Sequence, residues 1–291
     1  MFQARGAPHL HMMLWLQDED GNPAVSSLWD GENDENSFKE RSQKVASFAN
    51  SLIHGSLRKA ACMDHDEVVQ ECSHCLDVHR TVSRFQCHSH KKSCYKKNRI
   101  LRIPGNQGHG RMDGKINDEG MTVPACRYNF PKNPSDETCF IAAFPKDHPK
   151  EELKKAKEDY KKVRNFLLRL TSPSDFQSSE QWEKFKSLSF AEFLYTVGMY
   201  DDKVDFVETD KHSFLKAKQR YLEALRCEVK STGYILLERS NEDIFINNFN
   251  KNLATIHVAN HDLQFITDPY AVVQYVTGTF LTFCIIILCN Q

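Results

Sequence analysis

The sequence lacks a long apolar run, an excess of charge of either sign, internal repeats and low-complexity tracts. Its C-terminal apolar run, from Val276 to Cys289, has about 14 residues, whereas about 20 are needed to cross a bilayer. The mean hydropathy is −0.55, and 38 basic residues offset 39 acidic ones to leave a net charge of −1. These features argue against an integral membrane protein, and any nucleic-acid-binding surface must be local.

The overall composition is that of a globular protein. The chain has 291 residues, of which 40% are hydrophobic and 26% charged. These values are close to the globular averages and exclude a wholly disordered chain, a collagen-like chain and a coiled-coil rod. The length suffices for one large domain or two modest ones.

Cysteine and histidine are unusually frequent, with 10 and 13 residues. The segment from Met1 to Trp15 has no clean apolar core and no small-residue cleavage site, so we expect a reduced, intracellular chain. In that compartment, a close Cys/His cluster favours metal binding over disulfides.

Charge is segregated along the chain. Residues 17–77 contain 13 acidic and 5 basic residues, whereas residues 78–132 contain 12 basic and 3 acidic ones. The near-zero total therefore hides a strongly basic segment.

His9 and His11 are separated by one residue in a strand-like segment that begins near Pro8. Because alternate residues of a strand point the same way, the two imidazoles share one face. They could bind one divalent metal if a third ligand comes from elsewhere. The alternative is a pair of surface histidines on a half-exposed strand.

A second group of ligand types has zinc-finger-like spacing. Cys72 and Cys75 form a Cys-x2-Cys pair, followed by His90 and Cys94 in a His-x3-Cys pair. These four residues are the predicted ligands of a structural zinc. The spacing does not exclude the alternative ligands, which are His88, Cys126, Cys87, Cys62 and His65, nor a set of unrelated reduced cysteines.

Basic residues surround these ligands: Arg84, Lys91, Lys92, Lys96, Lys97, Arg99 and Arg102. A zinc-stabilised loop with many Lys and Arg side chains is suited to contact a phosphate backbone, so we predict DNA binding here. The alternative is a solvated basic face.

Periodicity and capping signals predict the secondary structure. Helices are expected over residues 38–57, from 149 to 170, 190–199 and 213–228, strands over 99–103, 234–238 and 254–266, and a last helix from Asp268 onward. Tyr275 and Thr279 would lie one turn apart on that last helix. A tyrosine hydroxyl can attack a phosphodiester, although a single helical tyrosine more often packs in a core.

These elements occur together, and in this order, in one protein family. The chain resembles the Rep-like nuclease region of Helitron transposon proteins, often called the Helitron helicase-like domain. The segments that carry the resemblance are residues 2–16 with the His-Leu-His motif, the Cys/His cluster, residues 108–114, residues 126–131, residues 239–248 and residues 262–271. The similarity covers roughly residues 1–280.

The resemblance implies an enzyme that starts rolling-circle transposition. In that family, tyrosine nucleophiles nick single-stranded DNA, and the paired histidines hold Mg²⁺ or Mn²⁺. His9 and His11 match the metal pair, and Tyr275 matches one nucleophile.

The chain departs from the family pattern in several places. Thr279 stands where the family usually has a second tyrosine, and no lysine follows it. Met1 stands where the family often has an acidic residue before the Phe-Gln pair. No Gly-x-x-x-x-Gly-Lys-Ser/Thr motif is present, so a helicase module that the full-length relatives carry is absent here.

The expected fold is α+β, with an incomplete antiparallel sheet of the HUH-nuclease type. Five segments are expected. They are 1–60 with the histidine strand and an acidic stretch, 61–132 as a zinc-binding basic insert, 133–230 as a helical region, 231–280 with strands and the tyrosine helix, and 281–291 as an apolar, aberrant tail.

The function expected from the sequence is that of a truncated Helitron-like replication initiator. It would be a metal-dependent, tyrosine-type endonuclease of single-stranded DNA, located in the nucleus, with Mg²⁺ or Mn²⁺ and Zn²⁺ as cofactors and no membrane partner. Full strand transfer with alternating tyrosines is not expected. The alternatives are a non-catalytic zinc-dependent DNA-binding protein and an inert transposon remnant.

Overall fold

Helices and short strands alternate along the chain in a computed structural model. It describes residues 11–15, 35–90, 94–101, 123–126, 128–170, 180–201, 210–229, 233–266 and 284–288. The elements, in chain order, are β1 (His11–Trp15), α1 (Glu35–Leu52), α2 (Ser73–Gln86), β2 (Tyr95–Leu101), β3 (Val123–Cys126), β4 (Cys139–Ala142), α3 (Lys150–Leu168), α4 (Glu180–Ser187), α5 (Phe190–Thr196), α6 (Lys211–Leu225), β5 (Gly233–Leu236), α7 (Lys251–His257), β6 (Asp262–Ile266) and β7 (Cys284–Leu288).

The strands that the structure describes form three small sheets. The pairs β2–β3 and β4–β5 are antiparallel. The third sheet has the order β1-β7-β6, and both of its pairings are parallel. The mixture of helices and strands agrees with the expected α+β class.

The sheet that contains β1 differs from the antiparallel sheet expected around the histidine strand. Its central strand, β7, comes from the apolar run that was interpreted as an aberrant tail. A strand of Cys-Ile-Ile-Ile-Leu has no polar alternation, and such continuous apolar runs are typical of parallel strands with neighbours on both edges. Residues 284–288 therefore have a defined place in the sheet.

Helix packing builds the largest core. Helix α6 packs against both α3 and α5. The core includes Val163, Leu167, Phe193 and Tyr221, which are all fully buried. The predicted helices near residues 38–57, 149–170, 190–199 and 213–228 correspond to α1, α3, α5 and α6.

A buried ion pair crosses the α3–α6 interface. Asp159 is 2% exposed, and the Arg220 guanidinium donates to its two carboxylate oxygens at 2.5 and 2.7 Å. Burial alone would raise the pKa of Asp159, but the hydrogen bonds from Arg220 and Lys162 lower it overall. The carboxylate is therefore ionised and paired inside the helical core.

Residues 254–266 were expected to form one strand, but they contain the end of a helix followed by a shorter strand. The Asn250 side chain accepts hydrogen bonds from the backbone N–H groups of Asn252 and Leu253, which caps helix α7. The helix ends at Val258, which has a left-handed conformation (φ 44°). Only residues 262–266 are extended, because the N-cap makes residues 251–257 helical.

A buried arginine joins the two chain segments that meet near the Cys/His cluster. The Arg239 guanidinium donates to the carbonyls of Gly55, Asp243 and Ile246 at 2.6–2.8 Å and to Asn248 Oδ1 at 2.9 Å. These bonds hold the chain around Gly55 against residues 239–248 and so fix the segment that precedes Cys62.

Candidate metal centre

Four side chains gather where the chain enters helix α2. Cys62 Sγ lies 3.2 Å from His65 Nδ1, 3.5 Å from Cys75 Sγ and 3.9 Å from Cys72 Sγ. His65 Nδ1 is also 3.5 Å from Cys75 Sγ. All four ligand atoms lie within 4.8 Å of one another, so they surround a common point.

The distances fit a tetrahedral zinc ion. With Zn–S bonds of about 2.3 Å and Zn–N bonds of about 2.0–2.1 Å, tetrahedral geometry places two sulfurs about 3.8 Å apart and a sulfur and a nitrogen about 3.6 Å apart. The S–S separations of 3.5 and 3.9 Å and the S–N separations of 3.2 and 3.5 Å are close to these values. A Cys3His donor set is one of the usual sets of structural zinc.

Two short loops position the ligands. Cys62 and His65 belong to a turn in which the His65 N–H donates to the Cys62 carbonyl at 3.3 Å. Cys72 is the N-cap of α2 and Cys75 lies in its first turn. The N-terminal end of a helix favours negative charge, and thiolates at such a position are stabilised by the unpaired N–H groups.

The Cys75 sulfur is prepared for the thiolate form. Burial alone would raise the pKa of its thiol, but hydrogen bonds from the N–H groups of Cys62 and Val69 and from the neighbouring thiols lower the pKa to about 6. Burial raises the pKa of Cys62, the partner thiol. The site therefore stabilises one negative sulfur, which is the form that binds a metal ion.

The surroundings close the site on its inner side. Cys62 and Cys75 belong to an apolar cluster with Val78, Val82 and Phe249. From α7, the Lys251 ammonium donates to the carbonyls of Cys62 and His65 at 3.3 and 3.0 Å. A closed, protein-lined site with four protein ligands is typical of structural rather than catalytic zinc.

The predicted zinc ligands are divided between two groups. Cys72 and Cys75 lie with Cys62 and His65, whereas His90 lies with His88 and Cys126. No group found among the residues that the structure describes joins the Cys72–Cys75 pair to His90. The predicted set of Cys72, Cys75, His90 and Cys94 therefore does not surround one point.

The sequence held a signal for the two residues that the structure brings beside Cys72 and Cys75. Cys62 and His65 have the same two-residue gap as Cys72 and Cys75, and six residues separate the two pairs. Two such pairs joined by a short loop can converge on one ion. From the sequence, Cys62 and His65 were only alternative ligands, because the His-x3-Cys pair after Cys87 has an equally suitable spacing.

The described part of the basic segment has two exposed arginines on one face of α2. Arg80 and Arg84 are exposed and four residues apart, so they lie on neighbouring turns. Arg80 pairs with Asp77 at 2.8 Å, and the Arg84 guanidinium lies 5.2 Å from the ring centre of Phe85.

The other predicted DNA contacts have no described side chains. Lys96, Lys97 and Arg99 belong to β2, whose backbone alone is described, and Lys91, Lys92 and Arg102 lie outside the described residues.

The predicted nuclease residues fall mainly outside the described part of the chain. This is the case for His9, Tyr275 and Thr279, while His11 is the first residue of β1. The strand that carries His11 and the strand that precedes Tyr275 in sequence, β6, are both paired to β7. His11 and Asp262 lie in one row, on either side of Cys284.

No protein-family model, curated protein or solved structure matches this chain. Among the described helices, none has both the length and the apolar character needed to cross a membrane.

Proposed function

We propose that this protein is a zinc-dependent DNA-binding protein of the Helitron initiator type, and that the zinc centre holds helix α2 for contact with single-stranded DNA. The observation that carries the proposal is the Cys3His cluster of Cys62, His65, Cys72 and Cys75 at the N-terminal end of α2. A metal ion bound there would fix the start of α2 and so the orientation of the helix on the protein surface.

The charges along and after α2 support a DNA backbone as the partner. Arg80 and Arg84 are exposed on its solvent side, while Val78 and Val82 anchor its opposite side in the core. Residues 91–102, which follow the helix, hold six more Lys and Arg residues. When Lys and Arg side chains neutralise DNA phosphates, condensed counterions are released and the affinity of the protein for DNA rises.

Fluorescence anisotropy with a labelled single-stranded oligonucleotide tests this function. We expect zinc-loaded protein to bind with an affinity that falls steeply with salt. The double variant Arg80→Gln/Arg84→Gln should reduce the slope of log affinity against log salt by about 1–2. The matched control is Lys157→Gln/Lys161→Gln, which removes an exposed pair with the same spacing from α3.

Two results would contradict the proposal. One is the absence of salt-dependent binding to single-stranded or duplex DNA. The other is binding that persists unchanged after a chelator has removed all zinc, since the proposed role of the metal is to hold the binding surface.

A second candidate function is the tyrosine endonuclease, and the sheet order supports it. The strand β1, which carries His11, and the strand β6, which precedes Tyr275 in the sequence, belong to one sheet. In this function His9 and His11 would hold Mg²⁺ or Mn²⁺, which would polarise the scissile phosphate. The Tyr275 hydroxyl would attack the phosphorus, form a phosphotyrosine bond and release the 3′ hydroxyl of the cleaved strand.

Incubation with Mn²⁺ and labelled single-stranded DNA tests this second function. We expect a covalent protein–DNA adduct that is lost in Tyr275→Phe and strongly reduced in His9→Ala/His11→Ala. Tyr195→Phe is a suitable control, since Tyr195 is a partly exposed tyrosine on α5. If no adduct forms at any metal concentration while the protein still binds DNA, the nuclease is excluded and the DNA-binding function stands.

A further inference from the structure

A second group of ligand atoms lies beyond the C-terminal end of α2. His88 Nε2 is 3.3 Å from His90 Nδ1 and 3.5 Å from Cys126 Sγ. The three atoms all lie within 4.8 Å of one another. Two imidazole nitrogens on a tetrahedral zinc are about 3.3 Å apart, and a nitrogen and a sulfur are about 3.6 Å apart. The observed separations agree with both values.

Aromatic rings hold the two imidazoles in place. The His88 ring stacks on the Phe130 ring, with the ring centres 4.3 Å apart and an interplanar angle of 5°. The His88 and Tyr128 rings are T-shaped, with their centres 5.8 Å apart. The His90 ring lies edge-on to Phe245 at 5.8 Å. The His88 backbone N–H also donates to the Phe245 carbonyl at 2.8 Å. Ligands whose rings are held before the metal arrives bind with a smaller loss of entropy.

The backbone that follows Cys126 turns back toward this residue. Asn129 is left-handed (φ 58°), and its N–H donates to the Cys126 carbonyl at 3.1 Å. Burial raises the pKa of the Cys126 thiol, while hydrogen bonds from the N–H groups of Phe130 and Tyr128 oppose that rise. Backbone N–H groups pointed at a buried sulfur are the outer-sphere contacts that stabilise a metal-bound thiolate.

Cys94 is close to this group in the structure, although its sulfur does not lie within 4.8 Å of all three ligand atoms. In the β2–β3 pairing, Tyr95 is opposite Cys126, so Cys94 is one residue from the partner of Cys126. Cys94 and Cys126 are 5% and 8% exposed and belong to the same apolar cluster.

The geometry brings His88, His90 and Cys126 together, and we infer that they form a second, separate zinc site in which Cys94 moves in as the fourth ligand. Two imidazoles and two thiolates form a Cys2His2 set, which is a usual donor set for structural zinc and is poorly suited to Mg²⁺ or Ca²⁺. This site would tie the β2–β3 hairpin to the end of α2, whereas the first centre ties the start of the same helix. Helix α2 would then be held by a metal at each end.

The metal content of the full-length protein tests this inference. Native mass spectrometry of protein purified with zinc should show two ions per chain. Cys126→Ser and His88→Gln should each leave one, and Cys72→Ser should remove the other ion independently. Cys87→Ser is the matched control, because Cys87 adjoins His88 but belongs to neither ligand group, and it should keep both ions.

Cobalt substitution gives a readout that does not depend on whether the Cys126 variant folds. Co²⁺ bound at both sites of the unmodified chain should give overlapping thiolate charge-transfer and d–d bands for a Cys3His and a Cys2His2 environment. In Cys72→Ser/Cys75→Ser, the bands of the two-thiolate site alone should remain.

A single ion per chain in the unmodified protein, lost in Cys72→Ser and unaffected by His88→Gln, would overturn the second site while leaving the first intact. The opposite loss, in which His88→Gln removes the only ion, would support the second site and contradict the first.

Discussion

The backbone N–H of Cys62 donates to the Sγ of Cys75 at 3.5 Å. This contact joins the loop that carries Cys62 and His65 to the first turn of α2 through protein atoms alone. Protein contacts therefore help to hold the four ligands of the first centre close together, and a bound metal ion would strengthen this arrangement.

Removal of metal is expected to lower stability through this centre. We predict that a chelator lowers the melting temperature of the unmodified protein, because zinc binds the folded chain more tightly than the unfolded one. Cys75→Ser should be less stable in zinc than the unmodified protein, and the chelator should lower its melting temperature by a smaller amount, because only the second site can still lose a metal ion. Cys227→Ser, which changes a thiol outside both ligand groups, should behave like the unmodified protein. An equal response of Cys75→Ser and the unmodified protein to chelation would contradict this prediction.

The histidine at position 54 is expected to make the fold sensitive to acid. Burial, together with the charges of Lys251 and Lys59, lowers the pKa of His54 to about 4. The unfolded chain binds this proton near pH 6.5, so the stabilising contribution is complete above that pH and is lost progressively as the pH falls toward 4.

Between pH 7 and pH 5 this linkage amounts to about 2 kcal/mol of unfolding free energy. We predict that His54→Gln loses about that much less stability than the unmodified protein over the same interval, as measured by urea unfolding at several pH values. Equal losses in the two proteins would show that His54 does not contribute to the acid response.

The contact between Gly55 and Arg239 should not tolerate a side chain. A Cβ at position 55 would lie 2.6 Å from Arg239 Nη2, and the guanidinium is held by hydrogen bonds to three carbonyls and Asn248. We predict that Gly55→Ala destabilises the fold by about 1–3 kcal/mol. In a double-mutant cycle, Gly55→Ala should cost much less in an Arg239→Met background. Strict additivity would show that the steric contact is unimportant.

The ion pair between Asp159 and Arg220 should be worth far more than a surface pair. Arg220→Ala leaves the buried Asp159 carboxylate without its main partner, so we predict a loss of about 3–5 kcal/mol in urea unfolding. Lys44→Ala, which breaks the exposed pair with Glu40, should cost no more than about 1 kcal/mol. Similar losses in the two variants would mean that the pair at the α3–α6 interface is effectively solvated.

Local signals predicted four of the seven described α-helices, namely α1, α3, α5 and α6, whereas α2 and α4 were not predicted. The apolar spacing after Pro149 and around Tyr221 repeats at the helical period, and the structure has α3 and α6 there. The extent of the strand expected at 254–266 was wrong, because the capping side chain of Asn250 makes the first part helical. The apolar run near residue 285 had no local signal for its partners, since strand pairing depends on contacts with residues far away in the sequence.

A possible Cys/His metal cluster was predicted from the sequence, but the structure groups Cys72 and Cys75 with other residues than those predicted. Ten cysteines and thirteen histidines, with repeated two-residue gaps, were sufficient to predict zinc. Cys72 and Cys75 could have been completed by either Cys62 and His65 or His90 and Cys94, because spacing constrains only ligands that are close in sequence. Which pair lies beside Cys72 and Cys75 depends on helix α2. The helix separates these two residues, at its start, from His88 and His90, which follow its end.

The amino-acid sequence by itself determined the types of ligand available, the helical periods and the segregation of basic residues after position 78, because each of these is a local property of the chain. The tertiary structure alone decided which thiols and imidazoles share a point and that β7 lies between β1 and β6. Those relationships arise when distant segments bury their apolar faces together, and no local pattern specifies the partner of a distant segment.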